Sequence, residues 1–328
     1  MSESDNLPAW TGRPGAHEVW FLTFTDVHTG TGYWIRSTLS APADGSEQTA
    51  GAWFARFDRT DPTRSFGLHR IERGWGLARD RFHVRIGDAE MGSGLSCGTA
   101  RGGGHEVGWD LRFETGEPTY RLLPDRLYRG SIAPTKPFSP NPRTLVQGSI
   151  TVDGTTEEIA GAPGQQGHLY GSRHAERWAW AQCGSFVDEE AVVHALTARG
   201  RRGPVTTPFL TFVGVHWQGQ WLRLWSVRAG ADFGLGAWKV DVSSRRHRLT
   251  GRVEAPVDAL IRARYLDPAG DERHCHNTEI ASCRLVLFER RARGWDEVAL
   301  LESNGTTHAE WAGRTPARAV TRAFAEVS

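Results

Sequence analysis

The segment 178–182, at the middle of the chain, reads Trp-Ala-Trp-Ala-Gln. This alternation of large and small side chains has the period of a β-strand, whose successive side chains point to opposite faces. Similar short runs recur along the chain, for example at residues 17–25 and 209–217. Clusters of Gly, Pro and Asp separate the runs, as they do in antiparallel hairpins. The pattern predicts an all-β protein made of antiparallel barrels or sandwiches.

The predicted strands fall into two groups of similar size. A chain of 328 residues is long for one hydrophobic core and comfortable for two domains. We therefore predict tandem copies of one architecture, with residues 1–162 forming the first barrel and residues 163–328 the second.

Two segments break the strand pattern. Leu123–Arg143 contains five prolines, which predict a long loop over the end of the first barrel, in the position of a lid. Near the C-terminus, the Thr-Pro pair at 315–316 has the form of a helix start, and Val320 and Phe324 are four residues apart. These features predict a short C-terminal helix against the second barrel.

Composition argues against several classes of protein. Lys and Arg number 39 and Asp and Glu 38, so no net charge attracts the chain to nucleic acid or anionic lipid. The four cysteines lack CxxC spacing, which favours free thiols in a reducing, cytoplasmic setting. No signal peptide is visible, and no apolar run approaches the roughly 20 residues of a membrane span. The fourteen Trp fit a β protein that encloses a cavity, although Trp also fills wide barrels. The oligomeric state stays open.

A glycine-rich stretch, Pro163–Gly171, precedes the alternating segment. Its three glycines in nine residues predict a tight, irregular turn. His168 and Tyr170 are two residues apart and would share a face on leaving this turn. Histidine titrates near neutral pH and can donate or accept a proton. We expect His168 as a catalytic acid or base with Tyr170 as its partner; a structural, hydrogen-bonded histidine is the alternative.

The large face of the alternating segment would stand beside this pair. Trp178 and Trp180 could hold an apolar ligand or stabilise a carbocation through their π faces, with Gln182 as a polar anchor. The alternative is that the two indoles are ordinary core. In the loop between, Arg173, His174, Glu176 and Arg177 are expected in solvent.

A second polar cluster lies at residues 274–279, His-Cys-His-Asn-Thr-Glu. On a strand, Asn277 and Glu279 share one face, and they would be a functional pair if that face borders a cavity. His274 and His276 share the other face and could bind zinc, but a third and a fourth ligand are not evident. The alternative is a polar strand that faces solvent.

Tryptophan and arginine also share faces. Trp34 and Arg36 do so in the first half, and Arg223 lies between Trp221 and Trp225 in the second. Cation–π contact explains both patterns as structural reinforcement; Arg36 could also anchor a substrate. No dinucleotide fingerprint, P-loop or nucleophile elbow is present.

The stretch Gly164–Gly171, followed by Trp-Ala-Trp-Ala-Gln at 178–182, resembles the mid-chain signature of the AttH-like, carotenoid 1,2-hydratase-type proteins. Asn277–Glu279 and the Glu-Trp pair at 310–311 are similar to second-half motifs of that family. The chain departs from the pattern at Tyr170, where Trp is common, and at Leu169, where Asn is common.

The resemblance implies two tandem lipocalin-like barrels, with a ligand site between them or in a barrel mouth. Tocopherol cyclases and fungal Diels–Alderases are similar at a greater distance, and what these proteins share is chemistry without a cofactor on long apolar molecules. We therefore expect a cyclase, hydratase or isomerase that acts on an isoprenoid, polyketide or steroid-like molecule, with no cofactor and no metal. A carrier or sensor with the same pocket is the alternative, and an interaction scaffold would require a filled barrel. The expected catalytic residues are His168, Tyr170 and Glu279, and the expected substrate-binding residues are Trp178, Trp180, Gln182, Asn277, Arg36 and Trp34.

Overall fold

The computed structural model describes residues 5–130, 132–202 and 205–327. The prediction of an all-β fold is confirmed, because strands account for nearly all of the regular structure. The strands of the first half are β1 (Ala16–Asp26), β2 (Thr31–Ala41), β3 (Thr49–Asp58), β4 (Phe66–Glu72), β5 (Trp75–Leu77), β6 (His83–Ile86), β7 (Ala89–Gly92), β8 (Leu95–Gly102), β9 (His105–Phe113), β10 (Tyr120–Arg121), β11 (Thr135–Val152) and β12 (Thr155–Gly171).

The second half continues with strands that are again antiparallel to their neighbours, except for the last. They are β13 (Arg177–Cys183), β14 (Ala191–Arg199), β15 (Arg201–Arg202), β16 (Val205–Thr206), β17 (Phe209–Trp217), β18 (Gln220–Arg228), β19 (Phe233–Gly234), β20 (Ala237–Ser243), β21 (His247–Glu254), β22 (Ile261–Leu266), β23 (Glu272–Arg291), β24 (Gly294–Gly313) and β25 (Ala325–Val327). The described helices are a single turn, α1 (Asp125–Tyr128), and 3-10 turns at Pro62–Arg64 and Val257–Ala259. None of them is long and apolar enough to cross a membrane.

The first sheet runs in the order β25-β4-β3-β2-β1-β12-β11-β9-β8-β7-β6-β5, with β10 on β11. Alternation along each strand sends one set of side chains into its core. On β1 these are Trp20, Leu22 and Phe24, which pack with residues such as Tyr33 and Phe54. The odd-numbered residues of β1, including Phe21 and Thr23, therefore lie on the opposite face.

The second sheet closes into an eight-stranded antiparallel barrel. Its order is β18-β17-β14-β13-β24-β23-β21-β20, and the pairing of Trp225 with Ser243 joins β18 to β20. The interior takes the small residues of the central segment, Ala179 and Ala181, together with aliphatic side chains and Trp238. The large residues of β13 consequently point out of the barrel, towards the first sheet.

A third core lies between the two sheets. Trp34, Trp53 and Phe57 from the first sheet pack with Tyr265 and Ile261 from the second. This layer of side chains, the junction, is formed by the outer faces of both sheets. Polar residues that share those faces are thereby buried between the sheets rather than exposed to solvent.

The predicted glycine-rich turn is wrong, because residues 163–171 belong to the long strand β12. None of Gly164, Gly167 and Gly171 has a positive φ. They are glycines because of crowding: a Cβ on Gly167 would lie 2.0 Å from Cζ of Phe21, and a Cβ on Gly164 would lie 2.3 Å from a backbone oxygen.

The second part of the predicted proline-rich loop, from residue 135 onwards, is a strand, whereas the described residues before it contain only the single turn α1. Thr135–Val152 forms β11, and its pairing with β12 shifts register between Phe138 and Asn141 and again between Asn141 and Thr144. Pro140 and Pro142 fall in these irregularities, where the N–H that proline lacks is not needed.

The predicted C-terminal helix is wrong. Val320 packs in the second barrel's core, whereas the Phe324 ring contacts Trp34 and Trp53 of the first sheet. Val320 and Phe324 therefore pack in two different cores and do not share one face of a helix. The chain then ends in β25, which pairs in parallel with β4 and places Val327 against the backbone of Gly102 on β8. The boundary predicted between residues 162 and 163 stays a prediction.

Candidate active site between the two sheets

His168 lies inside the first sheet's core. Its ring stacks on Trp20 at 5.0 Å between centroids, Nδ1 donates to the Asp5 carbonyl over 2.7 Å, and Nε2 is 2.8 Å from Oε1 of Glu18. The prediction that His168 faces Trp178 and Trp180 is wrong, because even-numbered residues at this part of β12 point away from the junction. Both ring nitrogens of His168 therefore already have hydrogen-bond partners in the protein.

Tyr170 lies at the edge of the same core. Its ring stacks on Phe138 at 5.7 Å, with the Lys136 ammonium 5.4 Å from the ring centroid. Its centroid is 5.7 Å from that of His168, but no hydrogen bond joins the two among the described side chains. Burial, followed by the charges of Glu18 and Asp5, raises the pKa of Tyr170.

The other predicted residues of the second half do come together. In the register of β13, β24 and β23, Trp180 is opposite Glu310, Glu310 is opposite Asn277, and Gln182 is opposite His308. Directly opposite residues share a face. All of these side chains therefore point out of the second barrel and into the junction.

Glu279 and His308 form a buried pair at the centre of this face. Oε1 of Glu279 is 2.5 Å from Nδ1 of His308, and both side chains are almost completely inaccessible. Nε2 of His308 has no hydrogen-bond partner in the described chain and is 3.8 Å from Oε1 of Glu310. The other oxygen of Glu310 accepts from Nε1 of Trp178 over 3.0 Å, and the Trp180 ring lies 4.4 Å from the His308 ring.

The pair holds protons more tightly than the free side chains do. Burial raises the pKa of Glu279. Burial by itself would lower the pKa of His308, but the carboxylates of Glu279 and Glu310 outweigh it and raise that pKa above its usual value. Both shifts favour the protonated form of the Glu279–His308 pair.

A narrow cleft opens beside the pair. Its volume is about 10 Å³, which is room for a single water. The ligand site predicted between the barrels stays a prediction, and packed side chains leave only this small volume beside the pair. Both sheets contribute to its lining, which is Thr23, Phe24, Thr25, Pro163, Gly164, Gln182, Gly184, Ser185, Glu279, Thr306 and His308.

Two unpartnered amides lie close in sequence or register to residues that line the cleft. Both polar atoms of Asn277 are buried without a hydrogen bond to any described residue, and so are both polar atoms of Gln165. Gln165 is opposite Thr23, which lines the cleft. Gln182 uses its Nε2 to donate to the Pro142 carbonyl over 3.2 Å. Buried amides without partners are rare in proteins and point to a bound polar group.

Arg36 and Trp34 lie at the far end of the junction. The Arg36 guanidinium is 4.3 Å from the Tyr265 ring centroid and 5.6 Å from that of Trp34. His174, predicted in solvent, is also part of this end: it is largely buried, and its Nδ1 is 2.5 Å from Oδ1 of Asp267. The prediction for His174 is wrong because its loop is held against β22 by that bond.

His276 does not have the form of a metal ligand. Its Nδ1 is bonded to the Trp311 carbonyl at 3.0 Å, and its Nε2 accepts the backbone N–H of Ala317 at 3.1 Å. Within the described ranges, no group of three or more His, Cys, Asp or Glu side chains is placed to hold a metal ion.

His308 and Gln165 were missed at the sequence level. The signal for His308 was its spacing of two from Glu310, which places both on one face of a strand. That spacing indicates a site only when β23, which carries Glu279, is known to pair with β24.

The architecture is thus that of a two-sheet β-barrel protein with a buried acid–imidazole pair between the sheets. Residues 142–313, just over half of the chain, match the family described as Tocopherol cyclase-like, and the chain belongs to this family. The resemblance stated from the sequence is confirmed. Membership suggests an enzyme of the cyclase kind.

The chain is also similar to other proteins over most of its length. Uncharacterised proteins from two strains of Mycobacterium tuberculosis are 27% identical over 316 residues, covering 94% of this chain and 90% of theirs. A Nitrosomonas europaea structure assigned as AttH has a TM-score of 0.52 and 11% identity, covers 96% of this chain and 97% of that one, and shows a shared fold. Kievitone hydratase from Nectria haematococca has a TM-score of 0.49 and 11% identity over 94% of each chain.

Proposed function

We propose that the chain is a cofactor-independent enzyme that protonates an apolar, alkene-containing substrate at the junction, with His308 as the acid. One observation carries the proposal: a buried imidazole holds a proton through Glu279 on one nitrogen and leaves its other nitrogen, Nε2, without a partner in the described chain. We assign this role to His308 rather than to His168, whose two nitrogens are already bonded.

The chemistry needs one proton and no redox partner. Nε2–H of His308 would add its proton to an alkene carbon, and the resulting carbocation would lie against the Trp180 indole. A hydroxyl of the same molecule then forms the new C–O bond, and its proton returns to Nε2, which gives a cyclised isomer. If water attacks instead, the product is the hydrate. The amides of Asn277 and Gln182 would orient the hydroxyl or the water.

Substrate entry requires the cleft to widen. Gly184 and Ser185, which line it, begin a loop of residues 184–190 whose Val187 side chain is 70% exposed. We propose that this loop moves outward to admit the substrate. Closure over the substrate would then exclude bulk water and select cyclisation over hydration.

A carrier of apolar molecules is the second candidate. The bonds that His168 makes to Glu18 and Asp5 favour it, since they remove one of the two expected proton donors. Carrier and enzyme differ in one respect: only the enzyme transfers a proton to the bound molecule.

The test uses molecules that contain both an alkene and a hydroxyl. Isoprenoid-substituted phenols are incubated with the protein in D2O, and mass spectrometry reads incorporation of one deuterium in the product. We expect incorporation with the natural sequence and at least a hundredfold slower incorporation with H308Q and with E279Q. H28Q, which alters an exposed histidine, is the matched control and should keep the natural rate. Binding without deuterium incorporation in the natural protein would establish the carrier.

A further inference from the structure

Arg36 is a buried cation without a counter-ion. Its side chain is on the junction face of β2, and the residue is only 6% exposed. Nε donates to Oγ1 of Thr38 over 3.0 Å, and the guanidinium forms no ion pair with a carboxylate in the described ranges. Its close neighbours are the rings of Tyr265, Trp34 and Trp53.

Such an arrangement is costly unless something further is bound there. Moving a guanidinium out of water carries a penalty of several kcal/mol, which aromatic faces offset only in part. Buried arginines in proteins are therefore found paired with carboxylates or phosphates. Of the carboxylates on neighbouring elements, Glu310 accepts a hydrogen bond from Trp178. Asp267 bonds to His174 through Oδ1, and its buried Oδ2 has no hydrogen-bond partner in the described chain.

Further polar atoms without partners surround the guanidinium. They include both nitrogens of His17, Nε2 of His174, the hydroxyl of Tyr265 and Nε1 of Trp53, all buried. The rings of His17 and His174 stack at 4.9 Å, and those of Trp53 and Tyr265 meet edge to face at 6.0 Å. Burial, then His174 and Arg36, lowers the pKa of His17, so this imidazole is neutral and offers one N–H.

We infer that Arg36, with His17 and Tyr265, binds the carboxylate of the substrate, whose apolar body extends along the junction towards His308. The inference rests on the proposed function, because it names the head group of the molecule handled there.

The distance between Arg36 and the Glu279–His308 pair can be estimated along β2. Gly32 on β2 touches Glu279, since a Cβ on that glycine would lie 2.3 Å from Cβ of Glu279. Arg36 is four residues further along the strand, which corresponds to about 13 Å. The substrate is thus an acid whose reactive double bond is about 13 Å from its carboxylate.

The experiment compares three probes with one chain and different heads: farnesoic acid, methyl farnesoate and farnesol. Equilibrium dissociation constants are measured by isothermal titration calorimetry for the natural protein, R36Q and R223Q. Arg223 is the matched control, because it also lies over an aromatic ring, at 5.5 Å from the Tyr120 centroid, but is exposed outside the junction. We expect the natural protein and R223Q to bind the acid more than tenfold more tightly than the ester and the alcohol. R36Q should bind all three alike.

Equal affinity of the natural protein for acid and alcohol would overturn the inference, and so would retention of the preference by R36Q. Because the natural protein alone can give the first result, a failure of R36Q to fold leaves the test decisive. H308Q separates the two proposals: it should keep the preference for the acid while it loses deuterium incorporation. H308Q could lose deuterium incorporation while the natural protein binds the acid and the alcohol with equal affinity. That result would mean that the Glu279–His308 pair acts on a substrate without this head group.

Discussion

Oε1 of Glu279 and Nδ1 of His308 are 2.5 Å apart, on neighbouring strands and out of contact with solvent. The bond sits where the outer faces of the two sheets meet, beside a cleft with room for a single water. An imidazole in that position behaves differently from one at the surface, and the difference can be measured in several ways.

The ring of His308 should remain protonated above the pH at which an exposed histidine titrates. The Glu279 and Glu310 carboxylates raise its pKa against the effect of burial. In an NMR titration of its imidazole C–H signals, His308 should titrate clearly above 6.5, the value of a free histidine. E279Q should move the His308 transition down, because burial then acts against only one remaining carboxylate. An unchanged transition in E279Q would contradict the assignment.

The same shift sets a pH dependence of stability. A histidine whose pKa is raised on folding contributes stability that is complete below its unfolded value of 6.5 and is lost as pH rises through the folded value. Glu279, whose pKa is also raised, acts in the same direction from pH 4.5 upwards. The free energy of unfolding, measured with urea, should therefore fall relative to that of the E279M/H308L variant as pH rises through the His308 transition. A rise over that interval would mean that folding lowers the pKa of His308 instead of raising it.

Removing one partner of the pair should cost more than removing both. H308L leaves the Glu279 carboxylate buried and unpaired, a change worth about 3–5 kcal/mol of unfolding free energy. E279M/H308L replaces both polar groups with apolar ones and should recover most of that loss. Urea denaturation of the two single variants and the double variant measures the coupling. Additive losses would mean that the two side chains do not interact.

The strands could be predicted from the sequence with good precision. Phe209–Trp217 has the bounds that its alternation predicted, and the pattern at 178–182 correctly placed its large residues on one face. Alternation depends only on backbone geometry, so it can be read without knowledge of the partner strands.

The sequence did not predict which face of a strand points into the first sheet's core and which points into the junction. His168 and Gln165 are equally polar and three residues apart on one strand, but the first lies in the first sheet's core and the second faces the junction. Both faces of β12 are buried over residues 165–168, so polarity does not distinguish them there. His308 became visible as a site residue only through the pairing of β24 with β13 and β23.

Glycines in the sequence predicted turns at positions where the structure has a strand. At Gly167 the sequence predicts a turn, whereas the strand requires glycine because Phe21 occupies the space of a side chain. G167A should therefore lower the free energy of unfolding by about 1–3 kcal/mol through overpacking. G108A on β9 is the matched control, since the nearest atom to its added Cβ is 4.0 Å away. The combination F21A/G167A should lose less than the sum of its parts; strict additivity would mean that the two positions do not meet.

Phe324, near the C-terminus, contacts both sheets. Its ring meets Trp34 at 5.5 Å and Trp53 at 5.4 Å, and its backbone N–H bonds to the Arg262 carbonyl of the second barrel at 3.0 Å. F324A removes the ring but keeps the backbone bond, and should lower the free energy of unfolding by about 3 kcal/mol. V327S, at the far end of β25, tests whether the loss comes from the strand instead, since it disturbs the packing of β25 against the first sheet and leaves the Phe324 ring in place. If urea denaturation shows V327S to be the more damaging change, the edge of the first sheet, and not the junction, is what the C-terminal segment stabilises.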